Sequence, residues 1–170
     1  MNRTGTWASL HKITAAKPND LAAQLARLSC PGFTHRKKVG EPLNPAALVA
    51  TALAHSDLDP RLVEALPWIR ATFHDLDWVW LSAQCCLLNP QNRLGYLVSL
   101  AMKLAKPGAT AHLAEALSEL ERSRLAVEGT VCRESMSGAE RNRARKNRPA
   151  HAAHWNLLTT LTADQLTYAA

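Results

Sequence analysis

The chain predicts an all-α fold of about eight helices, an antiparallel array of helical hairpins stacked HEAT-fashion or gathered as an orthogonal bundle. Three observations carry that expectation. Alanine and leucine dominate the 170 residues and β-branched residues are few, a balance that favours helix over sheet. Leu62, Leu66, Ile69 and Phe73 fall at i, i+4, i+7 and i+11, and Leu94, Leu97, Val98, Ala101, Leu104 and Ala105 make a second stripe; both are single helical faces. Leu43-Asn44-Pro45, Leu58-Asp59-Pro60 and Leu88-Asn89-Pro90 repeat one helix-start pattern at separations of 15 and 30 residues, with Asp75 near the missing phase. Asn or Asp caps the free backbone N–H groups of a helix start, and a first-turn proline gives up no helical hydrogen bond. Helices of about three turns on short connections pack as antiparallel neighbours. Two such hairpins are fewer than the roughly three repeats a free-standing stack needs, so flanking helices must cap them.

Taken in order, Thr6–Ala15 reads as a short helix with Trp7, Leu10 and Ile13 at spacing three, stopped by Lys17-Pro18. Asn19 or Asp20 caps the next helix, whose Leu21, Leu25 and Leu28 share a face before Pro31-Gly32. Residues 31–43 form a loop carrying His35, Arg36, Lys37 and Lys38. Pro67 lies inside the first stripe and predicts a kink or break. From Leu76 to Leu88 apolar residues run all round the helix, Trp78, Val79, Trp80 and Leu81 consecutively. That pattern means burial between neighbours, or one face kept for a partner. Gly95, early in the second stripe, lets another helix approach closely at a propensity cost of ~1 kcal/mol. A long helix from Thr110 turns Leu113, Leu117 and Leu120 inward and frays near Gly129. Ser137 and Glu140 make a capping box, opening Ala139–Arg148, a helix with almost no apolar face. Ala150–Leu161 restores apolar character through Trp155, Leu157, Leu158 and Leu161, and Thr162 to Gln165 offers a last short cap. Residues 1–132 are thus expected to form the helical-array core, with 133–170 a basic helix and a Trp/Leu tail docking on it, one domain overall.

Composition excludes several classes. No apolar run reaches the ~18–20 residues of a membrane span, and MNRTGTWASL lacks a signal peptide's apolar core. Cys30, Cys85, Cys86 and Cys132 contain no C-x-x-C pair, which points to reduced, mostly buried thiols in a cytoplasmic protein. The net charge of +6 is unevenly laid out: +6 over residues 1–40, −4 over 41–90, +1 over 91–132 and +3 over 133–170.

Candidate sites follow from the charges and aromatics. Arg141, Arg143, Arg145, Lys146 and Arg148 could clamp phosphates or an acidic protein; the alternative is a solvated helix face. Arg36, Lys37 and Lys38 form a second basic patch. Trp68, Trp78, Trp80 and Trp155 are candidate partner anchors or core residues. Arg93, poorly placed for its own helix dipole, is expected to pair with Asp75 or Asp77, and Asp57, Asp59, Asp75 and Asp77 lie near helix starts as capping groups. His151 and His154 lack an obvious third metal ligand and read as a structural pair. No phosphate loop, Ser/His/Asp triad, Cys/His dyad, cofactor or metal signature is present.

Arg145 with His151 and Arg148 with His154 resemble the Arg-x4–6-His motif of HEPN ribonucleases, an all-helical family, although Pro149 interrupts the helix. The phrases Leu62-Val-Glu-Ala-Leu-Pro-Trp68, Leu76-Asp-Trp78, Gln91-Asn-Arg-Leu-Gly95 and His154-Trp-Asn-Leu-Leu158 resemble small bacterial antitoxin-like proteins encoded beside nucleotidyltransferase toxins of abortive-infection type. That resemblance spans residues 43–161. It implies a non-catalytic partner that holds a toxin or its substrate; the charge layout fits that role, since the acidic middle could meet a basic toxin surface. Such antitoxins commonly carry an N-terminal winged-helix part, and this chain shows no strand-turn-strand wing. Two alternatives stand beside an interaction module: a nucleic-acid-binding module using Arg141 to Arg148, and a HEPN-like ribonuclease using Arg148 and His154.

Overall fold

The computed structural model describes residues 17–37, 43–105 and 110–166; the expected helix over Thr6–Ala15, with Trp7, lies outside them, as does Lys38. The described residues form α1 (Pro18–Arg27), α2 (Pro45–Ala54), α3 (Pro60–Thr72), α4 (Trp78–Leu88), α5 (Gln91–Leu104), α6 (Ala111–Arg122), α7 (Gly138–Asn147) and α8 (Ala150–His154). A pair of two-residue strands, β1 (Gly129–Thr130) and β2 (Leu157–Leu158), runs parallel, Gly129 opposite Leu157 and Thr130 opposite Leu158. A 3-10 turn, Ala163–Gln165, follows. The fold is all-α.

The starts of the helices show how local chemistry sets the array. The Asn44 carboxamide accepts from Ala46 N–H at 2.8 Å, the Asp59 carboxylate from Arg61 N–H at 2.8 Å and the Asp77 carboxylate from Trp80 N–H at 3.1 Å. Each satisfies a backbone donor that has no partner within the helix. Leu88-Asn89-Pro90 works differently from the other two phrases. Asn89 takes a left-handed φ of 66° and closes α4, while Pro90 stands at the start of α5. Asparagine tolerates that conformation, so one residue ends a helix and reverses the chain in a two-residue connection. The expected cap at Asn19 or Asp20 shifts upstream: α1 begins at Pro18, and Lys17 N–H donates to the Asp20 carboxylate at 3.2 Å. Ser137 and Glu140 make the capping box of α7, the Ser137 N–H donating to Glu140 at 2.8 Å.

Two departures have clear causes. The expected break at Pro67 does not occur; α3 continues to Thr72 with Pro67 buried inside it, held by the packing of Leu62, Leu66 and Ile69. The helix from Thr110 stops at Arg122, well short of Gly129. Beyond it, side chains from elsewhere capture the backbone. Asn92 both accepts from Leu125 N–H (2.8 Å) and donates to its carbonyl (2.9 Å), Gln91 donates to the Ser123 carbonyl, and Asn156 donates to the Leu125 carbonyl. These bonds replace the helical ladder that would otherwise have continued.

The hairpins α2–α3 and α4–α5 stack with first helix on first and second on second, α2 against α4 and α3 against α5. On one side α1 packs on α2 and α3; on the other α6 packs on α5. Leu94, Leu97, Val98 and Ala101 of α5 are buried together with Leu53, Leu66, Ile69, Leu81 and Leu113, the stripe foreseen from the sequence. The C-terminal segment closes the remaining side of α5. Trp155 is buried and its indole N–H donates to Ser99 Oγ at 3.1 Å, while the buried Tyr96 hydroxyl donates to the Leu161 carbonyl.

Gly95 is the point of closest approach: a Cβ there would stand 2.5 Å from three ring carbons of Trp155. The close approach expected there of another helix is made instead by an indole. Gly95→Ala is expected to destabilise the fold by about 1–3 kcal/mol, the usual cost of overpacking a filled core, read as a lower urea midpoint. Wild-type stability in that variant would show that the ring does not sit on α5.

Candidate protein-interaction surface

The basic helix α7 owes its order to carboxylates outside it. Arg141 pairs with Glu134 at 3.1 Å; Arg145 and Arg148 both pair with Glu128, at 2.5 and 3.3 Å. Arg133, just upstream, pairs with Glu140 at 2.8 Å. Only Ala144 of the helix is buried, so the helix rests on these pairs and on its cap. Arg143 and Lys146 are exposed and make no ion pair among the described residues. Arg36 and Lys37 are exposed in their loop.

Glu134 is the centre of the network. Its carboxylate meets Arg93 at 2.9 Å on one oxygen and Arg141 on the other, and accepts from the Thr130 hydroxyl at 2.8 Å. Arg93 does not pair with Asp75 or Asp77. Its guanidinium donates to the carbonyls of Leu53 (2.7 Å), His55 (2.9 Å) and Thr130 (2.9 Å). Carbonyls at the end of α2 carry partial negative charge, and a cation that satisfies them is better placed there than across the hairpin. Asp57 binds the Ser135 hydroxyl and N–H instead of acting as a helix cap, and those bonds hold its carboxyl below the ordinary value.

The residues of the ribonuclease-like motif occupy separate settings: Arg148 is on Glu128, whereas His154 Nε2 lies 2.7 Å from Glu121. His151 is exposed on the short α8, and no group of three metal-ligating side chains occurs among the described residues. Of the tryptophans, Trp155 is core. Trp68 is half-buried edge-on to Phe73, ring centres 5.9 Å apart. Trp78 and Trp80 are half-buried against the core, and the Trp78 indole N–H donates to Glu119. The Arg70 guanidinium lies over the Trp78 ring at 5.4 Å. Arg70 is only 3% exposed and its Nε and one Nη lack acceptors; burial pushes its pKa down.

A surface the sequence did not single out emerges on α4. Leu81, Ser82, Gln84 and Cys85 face inward, while Val79, Ala83, Cys86 and Leu87 are exposed, spaced as one helical face. Val79 is 79% exposed, Leu87 71%, Leu88 42% and Val127 74%. These are the large exposed apolar residues among the described part of the chain, and all belong to α4 or to the loop facing its end. Leu88 and Val127 line a cleft of about 610 Å³ that reaches Arg93, Glu128 and Glu134. The apolar face of α4 thus runs into a cleft whose wall is the ion-pair network. A second cleft, about 360 Å³, lies between α3, α7 and residues 158–161. No helix among the described residues is long and apolar enough to cross a membrane.

No protein-family model, curated protein or solved structure matches the chain.

The carboxylates of the network give the fold a definite pH response. Burial pushes Glu134 up, but hydrogen bonds from Thr130, Arg141 and Arg93 outweigh it and leave the carboxyl below its ordinary value. Arg145 lowers Glu128 and His154 lowers Glu121 in the same sense. Between the lowered and ordinary values the unfolded chain binds more protons, so stability rises with pH. The contribution is complete above the ordinary carboxyl value of 4.5 and is lost as pH falls below it. Glu134→Gln is expected to flatten this acid limb and to cost about 2 kcal/mol at neutral pH, because Arg93 and Arg141 lose their counter-ion. Parallel urea titrations at neutral and acidic pH test it; an unchanged acid limb would refute the role given to Glu134.

Proposed function

We propose that the protein is a non-enzymatic, cytoplasmic interaction module, an antitoxin-like regulator that binds and neutralises a partner toxin or defence enzyme, one of nucleotidyltransferase type. The observation that carries the reading is the clustering of Val79, Leu87, Leu88 and Val127 on α4 and the mouth of the adjoining cleft. Exposed apolar side chains scattered singly need no explanation, whereas a contiguous set marks an interaction surface. Residues 41–90, which include α4, carry a net charge of −4. Of the acids there, Asp77 stands at the start of α4 itself, and the occupant that fits is a protein surface with an apolar centre. The resemblance of residues 43–161 to antitoxin-like proteins points the same way.

The alternative, a nucleic-acid interface on α7, has less support than the bare sequence gives it. Arg141, Arg145 and Arg148 already hold carboxylates, and phosphate contacts would have to displace Glu134 and Glu128. The ribonuclease reading is weaker for the same reason, since Arg148 and His154 are held by different carboxylates.

The proposal is tested by looking for a toxin gene of nucleotidyltransferase type beside this one and co-expressing the two. Growth rescue and a co-purifying complex are expected. In the double variant Val79→Lys, Leu87→Lys binding is expected to weaken roughly a hundredfold, on the order of 1–2 kcal/mol per lost apolar contact. Its thermal stability should stay near wild type, because both side chains are exposed. Rescue unaffected by both substitutions would remove α4 from the interface, and neither rescue nor complex would remove the proposal itself.

A further inference from the structure

The cleft between α3, α7 and residues 158–161 has a chemistry of its own. Its apolar lining includes Leu58, Val63 and Leu158, and Thr159, Thr160 and Gln165 supply polar groups beside them. Its volume, about 360 Å³, falls near the lower end of the roughly 300–1,000 Å³ usual for small-molecule sites. Four charged side chains line it: Arg133 and Glu140 pair with each other at 2.8 Å, whereas Arg143 and Glu64 are left without an ion pair among the described residues. Arg133, Arg141, Arg145 and Arg148 each hold a carboxylate, as do Arg93 and Arg124. Arg143, which lines the cleft from α7, makes no ion pair among the described residues. Glu121, Glu128, Glu134 and Glu140 each hold a cation. Glu64, which lines the same cleft from α3, makes none.

From this juxtaposition we infer that the cleft is a binding site for a small zwitterion with an apolar body, of the class of apolar α-amino acids. Arg143 takes the carboxylate, Glu64 the ammonium, and the side chain lies against Leu58, Val63 and Leu158. A purely anionic ligand would satisfy Arg143 and leave Glu64 beside a second negative charge; a purely cationic one would do the reverse. A guanidinium offers paired donors to a carboxylate, and bonds to charged groups are the stronger class of hydrogen bond. The site lies away from the α4 surface and does not depend on the interaction reading.

The test uses the full chain and three probes sharing one hydrocarbon body: L-leucine, 4-methylpentanoate, which lacks the ammonium, and 3-methylbutylamine, which lacks the carboxylate. Amide chemical shifts are followed by NMR as each is titrated to millimolar concentration. Leucine is expected to give saturable shifts concentrated at residues 58–64, 140–144 and 158–161. Each singly charged analogue should bind at least about tenfold more weakly, the effect of losing one charge-assisted bond. Arg143→Gln should erase the preference for leucine over the amine, and Glu64→Gln the preference for leucine over the acid. Arg143 is exposed, Glu64 is half-buried and neither makes an ion pair among the described residues, so both variants should fold, which the dispersion of the same spectra checks. No saturable shift with leucine would overturn the inference. So would equal binding of all three probes, or wild-type selectivity in both variants.

Discussion

The arrangement depends on where Arg93 puts its charge. The side chain begins on α5, reaches the last carbonyls of α2 through Leu53 and His55, holds the Thr130 carbonyl and ends on Glu134. One guanidinium therefore joins the first hairpin, the second hairpin and the segment between α6 and α7. Those carbonyls are the ones a helix leaves without internal partners, and a planar fork of donors is suited to collecting several of them. Cys132, buried with a left-handed φ of 52°, sits in the same knot, its thiol on the Ala52 carbonyl. Glu134 passes the constraint on to Arg141. A helix as polar as α7 is thereby fixed against the body without an apolar face.

Much of the helical core was legible because it rests on local rules. The stripes of α3 and α5, the caps Asn44 and Asp59 and the Ser137–Glu140 box depend on residues within a turn or two of one another, and such patterns survive tertiary packing. What was not legible depended on distant partners. The end of α6 at Arg122 is set by Asn92 and Asn156, 33 and 31 residues from Leu125. The left-handed turn at Asn89 looks, in sequence, the same as the capping phrases at Asn44 and Asp59. The short parallel strands pair Gly129 with Leu157, two stretches with too few residues to show a period.

The candidate surface shows the same division. That Trp78 to Leu88 is apolar all round could be read directly, together with its two meanings, burial or a face for a partner. Which side remains open is a property of the stack. The α2 helix covers one flank of α4 and α5 another, so Val79, Ala83, Cys86 and Leu87 are left outward. The tryptophans of α4, Trp78 and Trp80, are half-buried against the core and do not lie on that face; large aromatic rings serve inside as well as at interfaces. The basic run over 141–148 is evident in sequence, whereas Glu128 and Glu134, which hold Arg141, Arg145 and Arg148, lie in the preceding loop and are visible as partners only in three dimensions.

The seat of Trp155 over Gly95 has a consequence for how the chain is made. Synthesis runs from the N-terminus, and helices α2 to α6 emerge from the ribosome well before the indole that closes α5. Ser99 must wait for a partner 56 residues downstream, and Tyr96 for one 65 residues downstream. Throughout that interval the nascent chain carries a bare groove along α5. It is in that window, before the final strand and turn arrive, that chaperones and proteases meet the molecule with its core uncovered.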